Sequence, residues 1–177
     1  MSVGNVGGMD SAPVHLVILG PMGVGKTTVG TIVAERLGWT LVDSDRVIEA
    51  LHGMTGADIV AEGGVERLHR IEAEVLDEAL SFAPPSVIAP AAAIVDDAAL
   101  VDRLAEPGVR VAVLTCDPDV LAERAARSIR SRSLALEDAE ELMVRHREIV
   151  EPLSDLTVDV TSLSPEAAAD QIAGLTG

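Results

Sequence analysis

Aromatic side chains are almost missing from this chain: one tryptophan, one phenylalanine and no tyrosine in 177 residues. The core must therefore be aliphatic, drawn from the Ala, Val, Leu and Ile that dominate the 48% apolar content. Cysteine occurs once, at Cys116, which excludes an intramolecular disulfide and suits a reducing compartment. It lies in an apolar stretch, where a buried, inert thiol is expected rather than a nucleophile. Positive charge is also scarce. Thirteen Lys and Arg face twenty-nine Asp and Glu, a formal net charge of −16. Such a surface repels nucleic acid and anionic membranes, so neither is expected as a partner. No apolar run reaches the roughly 18 residues a membrane span needs. Residues 1–13 lack the basic start and apolar centre of a signal peptide and read as a flexible lead-in. A single cytoplasmic domain over residues 14–177 is the expectation.

The scarcest basic residue is the most telling. Lys26 is the only lysine; the other twelve basic residues are arginines. It closes the stretch Gly20-Pro21-Met22-Gly23-Val24-Gly25-Lys26-Thr27, which fits the phosphate-loop pattern G-x-x-x-x-G-K-[ST]. The apolar run ahead of it reads as a strand, and the residues after it as a helix ending at Gly38. Glycines at these positions let backbone N–H groups approach phosphate oxygens, and the helix turns its positive end toward the same anion. Lys26 is expected at the β- and γ-phosphates and the Thr27 hydroxyl on Mg²⁺. Gly20, Gly23, Val24, Gly25, Lys26, Thr27 and Thr28 thus form the candidate phosphate cradle.

A second short strand, Trp39–Val42, runs into Asp43-Ser44-Asp45. In a parallel α/β sheet, ligands sit beyond the carboxyl ends of the strands, so both aspartates should reach the rim that carries the phosphate loop. If the strand continues, they face one way. Asp43 is then a candidate for holding Mg²⁺ through water, and Asp45 for touching an acceptor hydroxyl. The alternative reading has one of them cap the helix that follows, a role compatible with either. Thr55–Ala61 has capping-box character. Residues 65–80 form a longer helix with Leu68, Ile71, Val75, Leu76 and Ala79 on one arc. Glu72 falls inside that arc and His69 at its edge. A carboxylate on an apolar face needs a partner, so Glu72 is expected to face a cleft.

Ser86–Ala89, Val109–Leu114 and Leu156–Val160 complete five strands in steady alternation with helices. This predicts a three-layer α/β fold with a parallel sheet. Between them Arg124, Arg127, Arg130 and Arg132 form a basic segment in an otherwise acidic chain. It reads either as a solvated loop or as a lid, at about residues 127–135, that closes on a triphosphate.

Taken together, LVILGPMGVGKTTVG, LVDSDRVIE and GMTGADIVAEGG followed by RIEAEVL resemble the shikimate kinase family, small monomeric phosphate-loop kinases. The resemblance runs from about Val14 to Leu175. It implies ATP and Mg²⁺ as cofactors and a small hydroxylated acceptor as partner. By residue, it implies Lys26 and Thr27 at the phosphates and metal, Asp43 at a metal-bound water, and Arg124 and Pro165 beside adenine. Arg132 lies near the family's lid arginine, Asp45 matches the carboxylate at the acceptor hydroxyl, and Glu72 matches the acidic residue of the substrate helix. The acceptor side departs from the family. His69 and His146 stand where it has arginines that grip the shikimate carboxylate, and Ala91-Ala92-Ala93 replaces three glycines. The expected activity is transfer of the ATP γ-phosphate to a hydroxyl of shikimate or a related acceptor, with Lys26, Asp45 and Arg132 catalytic and Asp45, His69, Glu72, Ala92 and His146 facing the acceptor. The alternative is a nucleotide-binding relative that no longer phosphorylates shikimate.

Overall fold

A computed structural model describes residues 14–127, 144 and 147–176. Five strands form one sheet: β1 (His15–Leu19), β2 (Thr40–Asp43), β3 (Ser86–Ala89), β4 (Val109–Thr115) and β5 (Leu156–Asp159). Their order across the sheet is β2-β3-β1-β4-β5, and every neighbouring pair is parallel. The helices that connect them are α1 (Lys26–Leu37), α2 (Ser44–His52), α3 (Gly56–Gly63), α4 (Val65–Ser81), α5 (Ala98–Leu104) and α6 (Pro118–Arg127). A C-terminal helix covers Pro165–Ala173. The α/β class and the parallel five-stranded sheet expected from the alternation are both present.

Side-chain alternation along β1 builds the two faces. Leu16 and Ile18 enter one aliphatic cluster with Val29 and Val33 of α1 and Ala168 and Ile172 of the C-terminal helix. Val17 and Leu19 enter the other, with Leu76 and Leu80 of α4 and Leu100 and Leu104 of α5. Arg36 ties α1 to the C-terminal helix through Asp170 at 2.7 Å and the Glu166 carbonyl at 2.8 Å. His15, at the start of β1, is buried without being apolar. Its Nδ1 lies 2.7 Å from the Ser86 hydroxyl and its Nε2 3.2 Å from the Phe82 carbonyl, so both ring nitrogens are satisfied between β1 and the entry to β3.

A third cluster joins α2, α3 and α4. Ile48 of α2, Ile59 of α3 and Leu68, Ile71 and Val75 of α4 pack together away from the sheet. The Thr55–Asp58 capping box starts α3, and Gly64, at φ 83°, separates it from α4. This small aliphatic core fixes α2 against α4 beside the end of β2.

Some boundaries differ from the sequence reading. Strand β2 runs one residue further, to Asp43, and α2 begins at once. Asp43 and Asp45 therefore do not share an extended strand: one ends it and the other lies in the first helical turn. Residues 92–96 form a separate 3-10 turn before α5, which Asp97 caps through the Ala99 and Leu100 amides. Cys116 lies just past the end of β4 and is only partly buried, against the first cluster. The expectation of a thiol buried inside a strand is corrected accordingly. Of the basic segment, Arg124 and the backbone to Arg127 are described; Arg130, Arg132 and the rest of the expected lid lie outside the described residues, and so does the expected acceptor residue His146.

Candidate active site

The phosphate loop joins β1 to α1, and two of its glycines do specific work. A Cβ on Gly20 would stand 2.7 Å from the Leu114 carbonyl oxygen and 2.9 Å from Val24 Cγ1, so the loop could not press against β4 with any other residue there. Gly25 caps α1 at φ 112° with no side-chain cap, and a Cβ built on it meets nothing within 4 Å. The start of α1 thus presents uncapped N–H groups to open space. That is the arrangement an anion completes.

Lys26 reaches back over the loop. Its ammonium donates to the Gly20 carbonyl at 2.8 Å and the Pro21 carbonyl at 3.2 Å. Burial lowers its pKa to about 8, while Asp45, Asp43 and Glu72 pull it the other way. Three carboxylates from β2, α2 and α4 therefore converge on one ammonium.

Asp43 has two occupations at once. One oxygen accepts from the Arg46 amide at 3.1 Å, capping α2, and the other accepts from the Thr27 hydroxyl at 2.6 Å. The cap locks the carboxylate so that it faces α1 across the rim. Thr27 and Asp43 together offer hard oxygen donors of the kind Mg²⁺ takes, and the residues present fit that ion. Asp45, one helical position beyond Ser44, is exposed at the same rim.

Glu72 comes from the buried arc of α4. It is 8% exposed, and its Oε2 is a buried oxygen without a hydrogen-bond partner. Burial first, and the Asp45 carboxylate second, raise its pKa to about 7, with Lys26 opposing. His69, one turn earlier on α4, is half-buried. Ala92 is buried at the turn after β3. Ala91 there adopts φ −62°, ψ 154°, and no described non-glycine residue has positive φ. The alanines at 91–93 therefore sit on backbone that any L-residue accepts. What they add is a methyl at each position.

On the far side of the loop, Gly23, Val24, Gly25, Thr28 and Val29 share a pocket of about 270 Å³ with Arg124, Val160, Leu163 and Pro165. Arg124 is held there by the Val160 carbonyl, 3.0 Å from Nη2. The structure thus brings Arg124 and Pro165, 41 positions apart in the chain, together beside the phosphate loop. Val29, Val160 and Leu163 were missed by the sequence reading. Val160 follows the carboxyl end of β5, so the rule that ligands gather there was the signal that could have found it.

A glycine loop, a lysine and a capped carboxylate at the carboxyl ends of parallel strands define a phosphate-loop fold. Comparison with known proteins narrows the class. The family model for shikimate kinase matches residues 22–175. A shikimate kinase from Thermobifida fusca (strain YX) is 34% identical over 176 residues, covering 93% of this chain and 95% of that one. One from Thermodesulfovibrio yellowstonii is 33% identical over 164 residues, covering 89% and 92%. Among solved structures, a shikimate kinase from Acinetobacter baumannii in complex with shikimate matches with a TM-score of 0.83 at 26% identity, covering 94% of this chain and 93% of that one. The chain belongs to the shikimate kinase family.

Proposed function

We propose that this chain is an ATP- and Mg²⁺-dependent phosphotransferase that moves the γ-phosphoryl group of ATP to a hydroxyl of shikimate or a closely related small acceptor. Family membership supports the reaction. The observation that carries the reading in this chain is the convergence on Lys26 of charges from both sides of the rim, Asp43 on the nucleotide side and Asp45 and Glu72 on the acceptor side.

In this reading Gly20, Gly23, Val24, Gly25, Lys26, Thr27 and Thr28 cradle the phosphates, and Arg124 and Pro165 flank the base. Thr27 and Asp43 would hold Mg²⁺. The ion, when bound, neutralises charge on the phosphate oxygens. Asp45 orients the acceptor hydroxyl and takes its proton as the acceptor oxygen attacks the γ-phosphorus. The Lys26 ammonium leaves the loop carbonyls for the phosphate oxygens and stabilises the charge that moves onto the departing ADP. Arg132, outside the described residues, is the proposed second cation. His69, Glu72 and Ala92 line the acceptor side, with His146 added from beyond the described residues. We infer a monomer, since the site needs no second copy. No helix among the described residues is long and apolar enough to cross a membrane.

The reading is tested by ADP release with ATP–Mg²⁺ in the presence of hydroxylated acceptors, shikimate included, beside a Lys26→Ala control. Acceptor-dependent ADP that disappears in the control supports phosphotransfer. ADP no higher than an acceptor-free blank, with ATP still raising the melting temperature, would leave a nucleotide-binding protein without transfer.

A further inference from the structure

The second aliphatic cluster holds more than α4 and α5. Val150, fully buried, belongs to it, with Ile149 and Leu153 packed against it. So do Ile94 and Val95 of the turn after β3, with Ala91 packed at its edge. The segment 147–153 therefore lies on the same face of the sheet as α4, the helix that carries His69 and Glu72. Residues 147–150 are helical, so Arg147 stands about one turn ahead of the Val150 anchor.

That turn reaches the rim. Arg147 lines a small cavity with Pro21 of the phosphate loop, Thr115 and Cys116 at the end of β4, and Glu151. The Pro21 carbonyl is one of the two on which Lys26 rests, so the cavity adjoins the lysine end of the loop. It measures about 60 Å³, room for a functional group rather than for a whole ring. Arg147 is exposed and pairs with no other described residue, Glu151 included. The other described cations around the rim are held elsewhere. Lys26 rests on loop carbonyls, Arg124 on the Val160 carbonyl and Arg67 on Glu62. Arg46 and Arg70 are exposed and line neither cavity.

We propose that Arg147 is a specificity-determining residue whose guanidinium receives the carboxylate of a hydroxylated carboxylic acid acceptor, shikimate being one, while the reacting hydroxyl faces Asp45. This deepens the phosphotransferase reading above and rests on it. Such an acceptor is an anion, and the rim it enters already carries Asp43, Asp45 and Glu72, which repel it. A guanidinium offsets that repulsion with two parallel N–H···O bonds in the geometry a carboxylate presents. The carboxylate takes no part in the transfer, so its bond to Arg147 is equally strong before and during the reaction. Arg147 therefore acts on acceptor binding and not on the chemical step.

The test compares shikimate with its hydroxymethyl analogue, in which the carboxylate is reduced to an alcohol and every ring hydroxyl is kept. Both are assayed for ADP release with wild type, Arg147→Gln, Arg147→Lys and Arg70→Gln. Arg147→Gln should raise KM for shikimate about 10- to 100-fold, with kcat and the KM for ATP unchanged. It should leave the KM for the hydroxymethyl analogue unchanged. Arg147→Lys should fall between, because it keeps the charge and loses the paired geometry. Arg70→Gln should alter neither acceptor. A KM for shikimate that Arg147→Gln does not move, an equal loss on both acceptors, or a loss that follows Arg70→Gln instead would overturn the assignment. If wild type releases no ADP with either acceptor, the phosphotransferase reading fails and binding decides this proposal by itself. Shikimate should then raise the melting temperature of ATP-loaded wild type but not of Arg147→Gln. A rise that persists in the variant, or none in wild type, would end it.

Discussion

The two sides of the rim differ in how completely the protein satisfies its own polar groups. On the nucleotide side Lys26 rests on two carbonyls, Thr27 on Asp43, Asp43 on the Arg46 amide and Arg124 on the Val160 carbonyl. On the acceptor side Glu72 is buried with an oxygen left open. A phosphate site is held ready by contacts within one short loop and its neighbours. No described residue supplies that oxygen with a hydrogen bond. The lesson is that internal satisfaction marks a preorganised site.

Substitutions at four positions would break or sharpen that contrast. The largest effect is expected from Lys26→Ala, which should cut turnover about a thousandfold, roughly 4 kcal/mol of transition-state stabilisation. Circular dichroism should show the fold intact, because the lysine holds only loop carbonyls.

Glu72→Gln comes next, read as stability against pH. The folded pKa of Glu72 is raised from 4.5 to about 7. Between those values the folded state holds more protons than the unfolded one, so wild-type stability falls as pH rises. Gln carries no such penalty. The variant should match wild type near pH 4 and exceed it above pH 7, by at most roughly 3 kcal/mol, as chemical denaturation at several pH values would measure. Equal stability at all pH values would mean that Glu72 is not held in a charge-averse place.

Asp45→Asn should lower kcat about a hundredfold while leaving the melting-temperature shift produced by ATP–Mg²⁺ unchanged. Loss of that shift would mean that the two sides are not separable. The smallest effect concerns Asp43. Asn at this position can still accept from the Arg46 amide, whereas Ala cannot, so Asp43→Ala should lose about 1 kcal/mol of stability that Asp43→Asn keeps. Both should raise the Mg²⁺ concentration needed for half-maximal rate by about tenfold or more.

How much of this was legible from the chain depends on how local each feature is. The phosphate loop, α1 and its Gly38 stop, and the capping box at Thr55 were readable because each is written in a few adjacent residues. Asp43 was readable as a rim residue but not as the bond partner of Thr27, which needs β2 and β1 placed two strands apart in the sheet. Strand β2 and α2 meet without a linker, so no turn residue marked the boundary, and the two aspartates were expected on one extended segment. His15 gave no signal of burial. Its partners, Ser86 and the Phe82 carbonyl, lie 71 and 67 residues away, and only the pairing of β1 with β3 brings them near. Glu72 was found because a charge on an apolar arc is a local contradiction. That its Oε2 would remain open was not readable, since this depends on where Arg67 and Arg70 point across the helix. The ordinary backbone under the alanines at 91–93 was not readable either, since residue type alone does not give φ.

The measurement that tests the account most directly is phosphorus NMR of the reaction mixture, with ATP, Mg²⁺ and hydroxylated acceptors, shikimate included, supplied one at a time. The account predicts a phosphomonoester signal on an acceptor that grows in step with ADP and is absent in Lys26→Ala. Inorganic phosphate as the sole product with every acceptor would contradict it, because the rim would then bind and slowly hydrolyse ATP without passing the phosphoryl group to a hydroxyl.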